Sequence, residues 1–491
     1  MSHRLKAFFR TKPLSELQHE GESSHLKRVL GAWDLIGLGI GAIIGAGIFA
    51  TVGTAAAGDA ARPGAGPGIV LSFTLTAAVC ALAALCYAEL AALVPISGSA
   101  YTYAYATLGE LLAWIIGWDL IIEYAVGNVA VAISWSGYFC ELMRGLGITI
   151  PAWVATDLRS ALADPALIAS APHVAGVPIV VNLPAAGIVL LLTWLLVVGI
   201  KESARANAIM VIIKLIVLGF FVVVGAFYVQ PANWHPFLPN GWHGVWAGAA
   251  IVFFAYIGFD AVSTAAEETR DPGRNLPRGI LGSLVICTVV YIVVAAVVTG
   301  MVPWFDLHTA EPLTVAMNRY NLGWAAGIVA VGSVAAHTAV LLVFQLGQPR
   351  IFFAMARDGL LPQAFARVHP RYRTPHVTTI LTGVVVAAFA AFANIEEMVD
   401  LTNIGTLFAF ALVSAGVVVL RRTNPDAPRP FRAPLAPVLP LVSVAACLFL
   451  AAGLPRITWI RFGVWLAAGL AIYLTYGRHR SRQAMAAKQS E

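Results

Sequence analysis

Apolar runs long enough to cross a bilayer follow one another along almost the whole chain, separated by short polar stretches. Windows of about 20 residues give twelve such runs, starting near Trp33, Pro67, Gly109, Leu183, Ala204, Gly244, Pro277, Leu322, Pro375, Met398, Leu435 and Pro455. The pattern predicts an all-α integral membrane protein with twelve transmembrane helices.

Two of these runs are interrupted from within. The first, Trp33 to Ala57, contains Gly37, Gly39, Gly41, Gly45 and Gly47, and each glycine weakens a helix by about 1 kcal/mol relative to alanine. Its middle is therefore the part least able to stay helical, which predicts a break near the midplane. A broken helix in lipid leaves amides and carbonyls that are tolerated only where they line a cavity and bind something polar. Two plainer explanations compete. Gly37-x-Gly39-x-x-Ala42 fits a loose dinucleotide fingerprint, but that loop needs a strand before it and a solvated helix after it. Gly37, Gly41 and Gly45 also form small-xxx-small spacings, which would suit an unbroken helix packed closely on a neighbour.

The sixth run, Gly248 to Glu268, places Gly258 and Asp260 among apolar residues and is the second candidate break. The first and sixth runs lie five apart, so two five-helix units would insert with opposite topology, which is the sequence pointer to an inverted repeat around a midplane site. The expected division is a tail over 1–32, five helices over 33–229, five over 230–421, two C-terminal helices over 422–477 and a tail over 478–491.

Composition agrees with a polytopic membrane protein: 59% of the 491 residues are hydrophobic and 11% charged, with a mean hydropathy of +0.80. That is far too apolar for a soluble chain of this size. The net charge of +6 does not indicate nucleic acid, because the basic residues sit in short loops. Their distribution gives orientation. Starting from the N-terminal tail, alternate loops on its side hold 24 of the 31 Lys and Arg, the opposite loops hold Arg62, Arg144, Arg159, Arg319, Arg456 and Arg461, and Lys214 lies inside a run. Both termini are expected in the cytoplasm. The first 30 residues lack a short apolar core with a small-residue cleavage site, so no cleavable signal peptide is expected. Cys80, Cys86, Cys140, Cys287 and Cys447 show no metal-ligand spacing and read as core residues without disulfides. The stretch from about Arg144 to Asn182 reads as a surface excursion, and Trp234, Trp242 and Trp246 as interfacial anchors.

Half-helix ends supply the site's chemistry. An N-terminal end carries roughly +0.5 charge and a C-terminal end roughly −0.5. Amides near Gly45, Ala46 and Gly47 are placed to cradle a carboxylate, while carbonyls near Ile43 and from Phe254 through Ala255 and Tyr256 to Ile257 are placed to hold an ammonium. A ligand with both groups on one carbon fits, which points to an α-amino acid recognised through its backbone.

At these residues a family resemblance becomes specific. Gly-Ala-Ile-Ile-Gly-Ala-Gly-Ile-Phe at 41–49, Phe-Phe-Ala-Tyr-Ile-Gly-Phe-Asp-Ala at 253–261 with Glu-Glu-Thr-Arg-Asp-Pro at 267–272, and Ala-Arg-Asp-Gly-Leu-Leu-Pro at 356–362 resemble the amino acid-polyamine-organocation superfamily. Within it they most resemble the cationic amino acid transporter family in its shorter bacterial form, from about Trp33 to the twelfth run. The resemblance implies a LeuT-type fold, an amino acid held between the first and sixth helices, and proton-coupled uptake. It also implies a role for Lys214, because transporters of this family hold a fifth-helix lysine where sodium-coupled relatives hold a sodium ion.

Lys214 should face the bundle interior, since a lysine at the bilayer centre costs about 2.5 kcal/mol or more; the alternative is snorkelling to headgroups near Lys201 and Arg205. Glu123 and His337 lie in runs that would border the pocket. Each is a candidate substrate contact, against a hydrogen-bonded structural carboxylate for Glu123 and a neutral core histidine for His337. Asp260 reads as a residue that caps or stabilises the second half of the sixth helix rather than one that touches substrate. Glu89, Glu267, Glu268, Arg270, Asp271, Arg350 and Arg357 fall near the cytoplasmic rim, where a gate and an ordinary polar rim look alike.

The expected function is a secondary active amino acid permease of the inner membrane, importing cationic or small neutral amino acids with protons. An exchanger and a non-transporting sensor would keep the same pocket. No His-Glu-x-x-His, paired cysteines or Gly-x-Ser-x-Gly marks an enzyme. The expected partners are substrate, protons and lipid, without cofactor, metal or nucleic acid, and the chain is read as a monomer.

Overall fold

The computed structural model describes residues 10–12, 28–96, 99–174, 176–198, 204–372 and 374–481. Lys201 and most of both tails lie outside them. Among the described residues eight helices are long and apolar enough to span a membrane, and a ninth span is formed by Ala32–Ile43 and Gly47–Ala57, bent by 44° at a break. Three shorter apolar helices, Leu183–Val198, His376–Phe392 and Val438–Ala451, lie where further runs begin in the sequence.

In chain order, α1 (Ala32–Ile43) is followed by a π-turn over Gly47–Thr51 and α2 (Val52–Ala57). Next come α3 (Ile69–Leu93), α4 (Ser99–Thr107) and α5 (Glu110–Ile121), which passes through a π-turn at Ile122–Val126 into α6 (Gly127–Gly145). The surface excursion holds α7 (Leu158–Leu162), α8 (Pro165–Ser170) and a hairpin of β1 (His173–Val174) and β2 (Val177–Pro178). It is ordered by its caps: Asp157 accepts from the amides of Arg159 and Ser160, and Asp164 from those of Ala166 and Leu167, which satisfies donors a helix start leaves free.

After it come α9 (Leu183–Val198), α10 (Ala204–Ala226) and α11 (Gly241–Val252), then two 3-10 segments at Phe253–Tyr256 and Asp260–Glu268. The chain continues with α12 (Pro272–Met301), α13 (Pro312–Asn318), α14 (Gly323–Arg357), α15 (His376–Phe392), α16 (Ile395–Thr423), α17 (Val438–Ala451) and α18 (Arg456–Ile472).

Because lipid and protein interior are both apolar, hydropathy does not sort these helices; burial does. The span Gly241–Glu268 is 94% buried, whereas Arg456–Gly477 is 22% buried. The interrupted span is thus central and the last one peripheral. Helices α9, α10 and α15 expose Leu190, Trp194, Ile212, Ile216, Val384 and Phe389, the apolar face a bilayer would cover. In the centre α12 packs on both α3 and α1, and α14 packs on α6.

All five cysteines are free. The tryptophan cluster divides: Trp242 is 70% exposed, but Trp234 and Trp246 donate to the carbonyls of Ala296 and Phe449 and so tie helices together. Glu89 is buried and accepts from Arg421 Nε at 3.0 Å, Arg421 Nη2 at 2.6 Å and the Ala433 amide at 2.8 Å. It fastens α3 to the end of α16.

Candidate functional site

Both expected breaks are present and they face each other. α1 stops at Ile43, and Ile44 is extended, with φ −76° and ψ 106°. In the second interruption Ile257 has ψ 135° and Gly258 has φ +116°, a conformation L side chains rarely adopt. The two backbones come very close. A Cβ on Gly47 would lie 2.2 Å from Ala255 Cα, and one on Gly258 would lie 2.8 Å from the Ala42 carbonyl oxygen. The small residues here therefore serve helix approach as well as helix breaking.

Tyrosines stitch the breaks to the surrounding helices. Tyr291 of α12 donates to the carbonyls of Ile43, at 3.0 Å, and Ala255, at 2.9 Å, one from each interruption; a carbonyl has a second lone pair left for a ligand. Tyr256 donates to Phe73 O at 3.0 Å and Tyr138 to Phe49 O at 2.6 Å. Ile43, Gly45, Ala46 and Gly47 thus stand against Phe254, Ala255, Tyr256 and Ile257, all of them buried.

Lys214 is fully buried and does not snorkel. Its Nζ donates to Gly41 O at 2.7 Å and Ile44 O at 2.9 Å, two carbonyls freed by the break. A cation at a helix C-terminal end is favourable by both charge and hydrogen bonding.

His337 sits beside the first break, with its ring 5.6 Å from those of both Phe49 and Tyr138. Nδ1 lies 2.7 Å from Ser333 O, so it carries the proton, and Nε2 accepts from Ser134 Oγ at 2.7 Å. Both nitrogens are engaged, and the imidazole offers the pocket only its ring face. Glu123 lies in the π-turn, buried beside Asp260 and Thr406. The Asp260 carboxylate lies beside Glu123 and the backbone of Gly258 to Ala261, where the second 3-10 segment begins.

A cavity of about 640 Å³ is lined by Thr51, Thr54, Arg62, Gly137, Glu311 and Asp400, among others, and reaches Ala50 and Ile251 near the two breaks. Arg62 bridges Asp59 at 2.5 Å and Asp400 at 2.7 Å, joining the loop after the broken helix to α16. The described ends of the chain are tied to α4, α5 and the end of α14. The Glu110 amide donates to Arg10 O and the Lys12 amide to Tyr105 O, Lys12 pairs with Asp358 at 3.8 Å, and Ser481 Oγ donates to Glu110 at 2.8 Å.

Glu311 in the cavity packs on the bare Cα of Gly137. Burial, reinforced by Glu141 and opposed by Arg144, pushes its carboxyl from 4.5 up to about 7. The folded chain then holds a proton that the unfolded chain has already lost, so this group's contribution makes stability fall as pH rises from about 4.5 to about 7. The melting temperature of detergent-solubilised protein is expected to drop over that interval, and Glu311→Gln to remove its share of the drop. An unchanged pH profile in the variant would show that Glu311 does not titrate there.

Sequence reasoning did not single out Tyr291, Tyr138, Asp400 or Asp119. The tyrosines carry no local signal. Asp119 stands four residues before Glu123, one turn along the same helix, and that spacing was available.

A family model described as amino acid permease matches residues 30–475 of this chain. The chain belongs to the amino acid permease family. The matched region of this permease contains both breaks, Lys214 and the cavity. It is 48% identical over 477 residues to a branched-chain amino acid permease of Bacillus subtilis, covering 96% of this chain and 98% of that protein. It is 46% identical over 477 residues to a methylthioribose transporter of the same organism, covering 97% and 99%. A vacuolar cationic amino acid transporter 4 of Arabidopsis thaliana is 39% identical over 407 residues, covering 82% of this chain and 64% of its own length. These relatives are transporters, which supports a role other than catalysis, and the family with the apolar helices makes the permease a multi-pass membrane protein.

Proposed function

We propose that this permease is a secondary active amino acid transporter that takes up its substrate with protons. The observation that carries the reading is the Lys214 ammonium bound to Gly41 O and Ile44 O at a broken helix that a cavity approaches. It puts a group able to gain and lose a proton in contact with the backbone that would hold substrate. The substrate's carboxylate would meet amides from Gly45 to Gly47, and its ammonium the carbonyls near Ile43 and Phe254 to Ile257. The cavity is then the entrance from outside the cell, and the described chain ends lie on the cytoplasmic side of a cell whose inner membrane holds the chain as a monomer. Twelve spans in a LeuT-type arrangement, with five helices over 33–229, five over 230–421 and two more over 422–477, provide a bundle that rocks against a scaffold to alternate access.

Side-chain selectivity is assigned to Glu123 and His337. The named relatives differ among branched-chain amino acids, methylthioribose and cationic amino acids; we read this chain as a carrier of cationic and small neutral amino acids. Glu123→Gln is expected to lower arginine uptake relative to alanine at least fivefold, whereas His337→Ser, which removes a ring face, should change both. Equal losses for both substrates in Glu123→Gln would make Glu123 structural. The test of the function is uptake of a panel of labelled amino acids into proteoliposomes under an imposed pH gradient. Accumulation that follows the gradient supports symport, transport only against internal amino acid makes the protein an exchanger, and binding without transport makes it a sensor.

A further inference from the structure

The two breaks are held by matching donors from two different helices. Lys214 of α10 reaches back 173 and 170 residues to Gly41 O and Ile44 O at the end of the first half-helix. Asn403 of α16 reaches back 153 and 152 residues to Ala250 O, at 2.8 Å, and Ile251 O, at 3.1 Å, both through Nδ2. Those two carbonyls belong to the last turn of α11, which ends at Val252 immediately before the second break, where a helix carries its partial negative charge. In the two-unit arrangement proposed above, α10 and α16 are each the fifth helix of their unit, so the two donors occupy corresponding places. One is an ammonium, able to lose a proton, and the other a carboxamide that does not titrate.

Asn403 is fully buried, and its acceptors fix its orientation: turned over, the amide would set its oxygen against two carbonyl oxygens. The neighbouring α3 supplies a weaker hold. Thr76 Oγ1 reaches Ala249 O at 3.0 Å but shares its single hydrogen with Ser72 O at 2.9 Å, whereas Asn403 has two N–H hydrogens for its two carbonyls. The cavity passes one turn away: Val399, Asp400 and Ile251 line it, and Asp400 stands three residues before Asn403 on the same helix. The carbonyls assigned to the substrate ammonium begin at Phe254, three residues beyond Ile251.

We infer that Asn403 is a positioning residue for substrate binding: it holds the end of α11 so that the carbonyls from Phe254 to Ile257 keep their place around the substrate's ammonium while the tie made by Lys214 forms and breaks. This inference rests on the permease reading above and adds a second, unswitched anchor to it. Lys214 makes the position of the first break depend on a proton; Asn403 makes the position of the second break independent of one. Loss of the amide therefore weakens recognition of the ammonium and leaves the response to a pH gradient in place, the reverse of what removal of the Lys214 amine does.

The experiment uses the full chain in proteoliposomes and compares the affinities of alanine, leucine and arginine with those of their 2-hydroxy acids, lactate being the partner of alanine; each hydroxy acid keeps the carboxylate and replaces the ammonium with a hydroxyl. In Asn403→Leu, which removes the donors at similar volume, the amino acid is expected to bind roughly tenfold more weakly and the hydroxy acid to change by no more than about threefold, the size of effect that follows loss of a buried hydrogen-bonding partner. Asn403→Ala should lower the preference for amino over hydroxy acid in the same way, and it decides the matter if Asn403→Leu fails to fold. At saturating substrate both variants should accumulate amino acid under an imposed pH gradient to within about twofold of wild type, a loss of affinity without a loss of coupling. An unchanged preference in the folded variants overturns the inference, as do equal weakening of amino and hydroxy acid and loss of gradient-driven accumulation. If the wild-type chain binds amino and hydroxy acid equally, no ammonium is read at these carbonyls and the inference fails while the transport reading stands. If it binds no amino acid, it is the permease reading that fails.

Discussion

Gly47→Ala and Gly258→Ala chains should insert into the membrane and bind no measurable amino acid, a loss of at least a hundredfold in affinity. At Gly47 the added methyl would lie 2.2 Å from the Ala255 backbone, and at Gly258 it would meet the Ala42 carbonyl at 2.8 Å in a backbone with φ +116°. Neither neighbour is the end of a flexible side chain, so the two interrupted segments must move apart. Alanine also favours continuous helix by about 1 kcal/mol, which works against the break itself. Gly45→Leu extends the series, because a side chain there meets Val340 of α14. Gly37→Ala is the control: it adds the same methyl to the same helix with nothing within 4 Å, and it should bind as wild type. Binding measured by thermal shift or by labelled ligand on solubilised protein checks all four. Normal affinity in Gly47→Ala and Gly258→Ala would remove the broken helices from the substrate site.

That these positions were legible in the sequence, while much of their surroundings was not, has a physical reason. A glycine cluster inside a membrane run contradicts its local context, and Lys214 does the same by charge; each signal is complete within a few residues. Tyr291 gives no such signal. A tyrosine in α12 is ordinary until the fold brings Ile43 O and Ala255 O, 248 and 36 residues away, to its hydroxyl. The bridge from Arg62 to Asp400 spans 338 residues, though Arg62 is one of only six basic residues read on its side of the membrane. His337 was legible as an ionisable group near a pocket, but not as one whose two nitrogens are consumed by Ser134 and Ser333. Asp260 read as capping or stabilising the second half of the sixth helix, at whose start it stands. Its carboxylate also faces Glu123, a partner that only the packing of the π-turn against the second break brings near.

Lys214→Ala should still bind substrate and exchange it across the membrane, but should lose accumulation driven by a pH gradient. The charged amine holds two carbonyls of the break, at 2.7 and 2.9 Å, and so ties α10 to the first broken helix in the state open to the cavity. Hydrogen bonds to an ionised donor are roughly twice as strong as neutral ones, so loss of the proton weakens that tie and changes the relative stability of the two access states. A gradient can drive transport only through such a difference between states. Alanine removes the amine in both protonation states and with it the difference, while the Tyr291 bridge and the close contact of Gly47 with Ala255 remain to hold the site. Counterflow within about threefold of wild type, together with net accumulation reduced at least tenfold under an inwardly directed proton gradient, is the expected pair of measurements. Should the alanine variant still concentrate substrate on protons alone, or wild-type uptake require sodium, the amine of Lys214 is a structural fastening of the break and the coupling proton binds elsewhere.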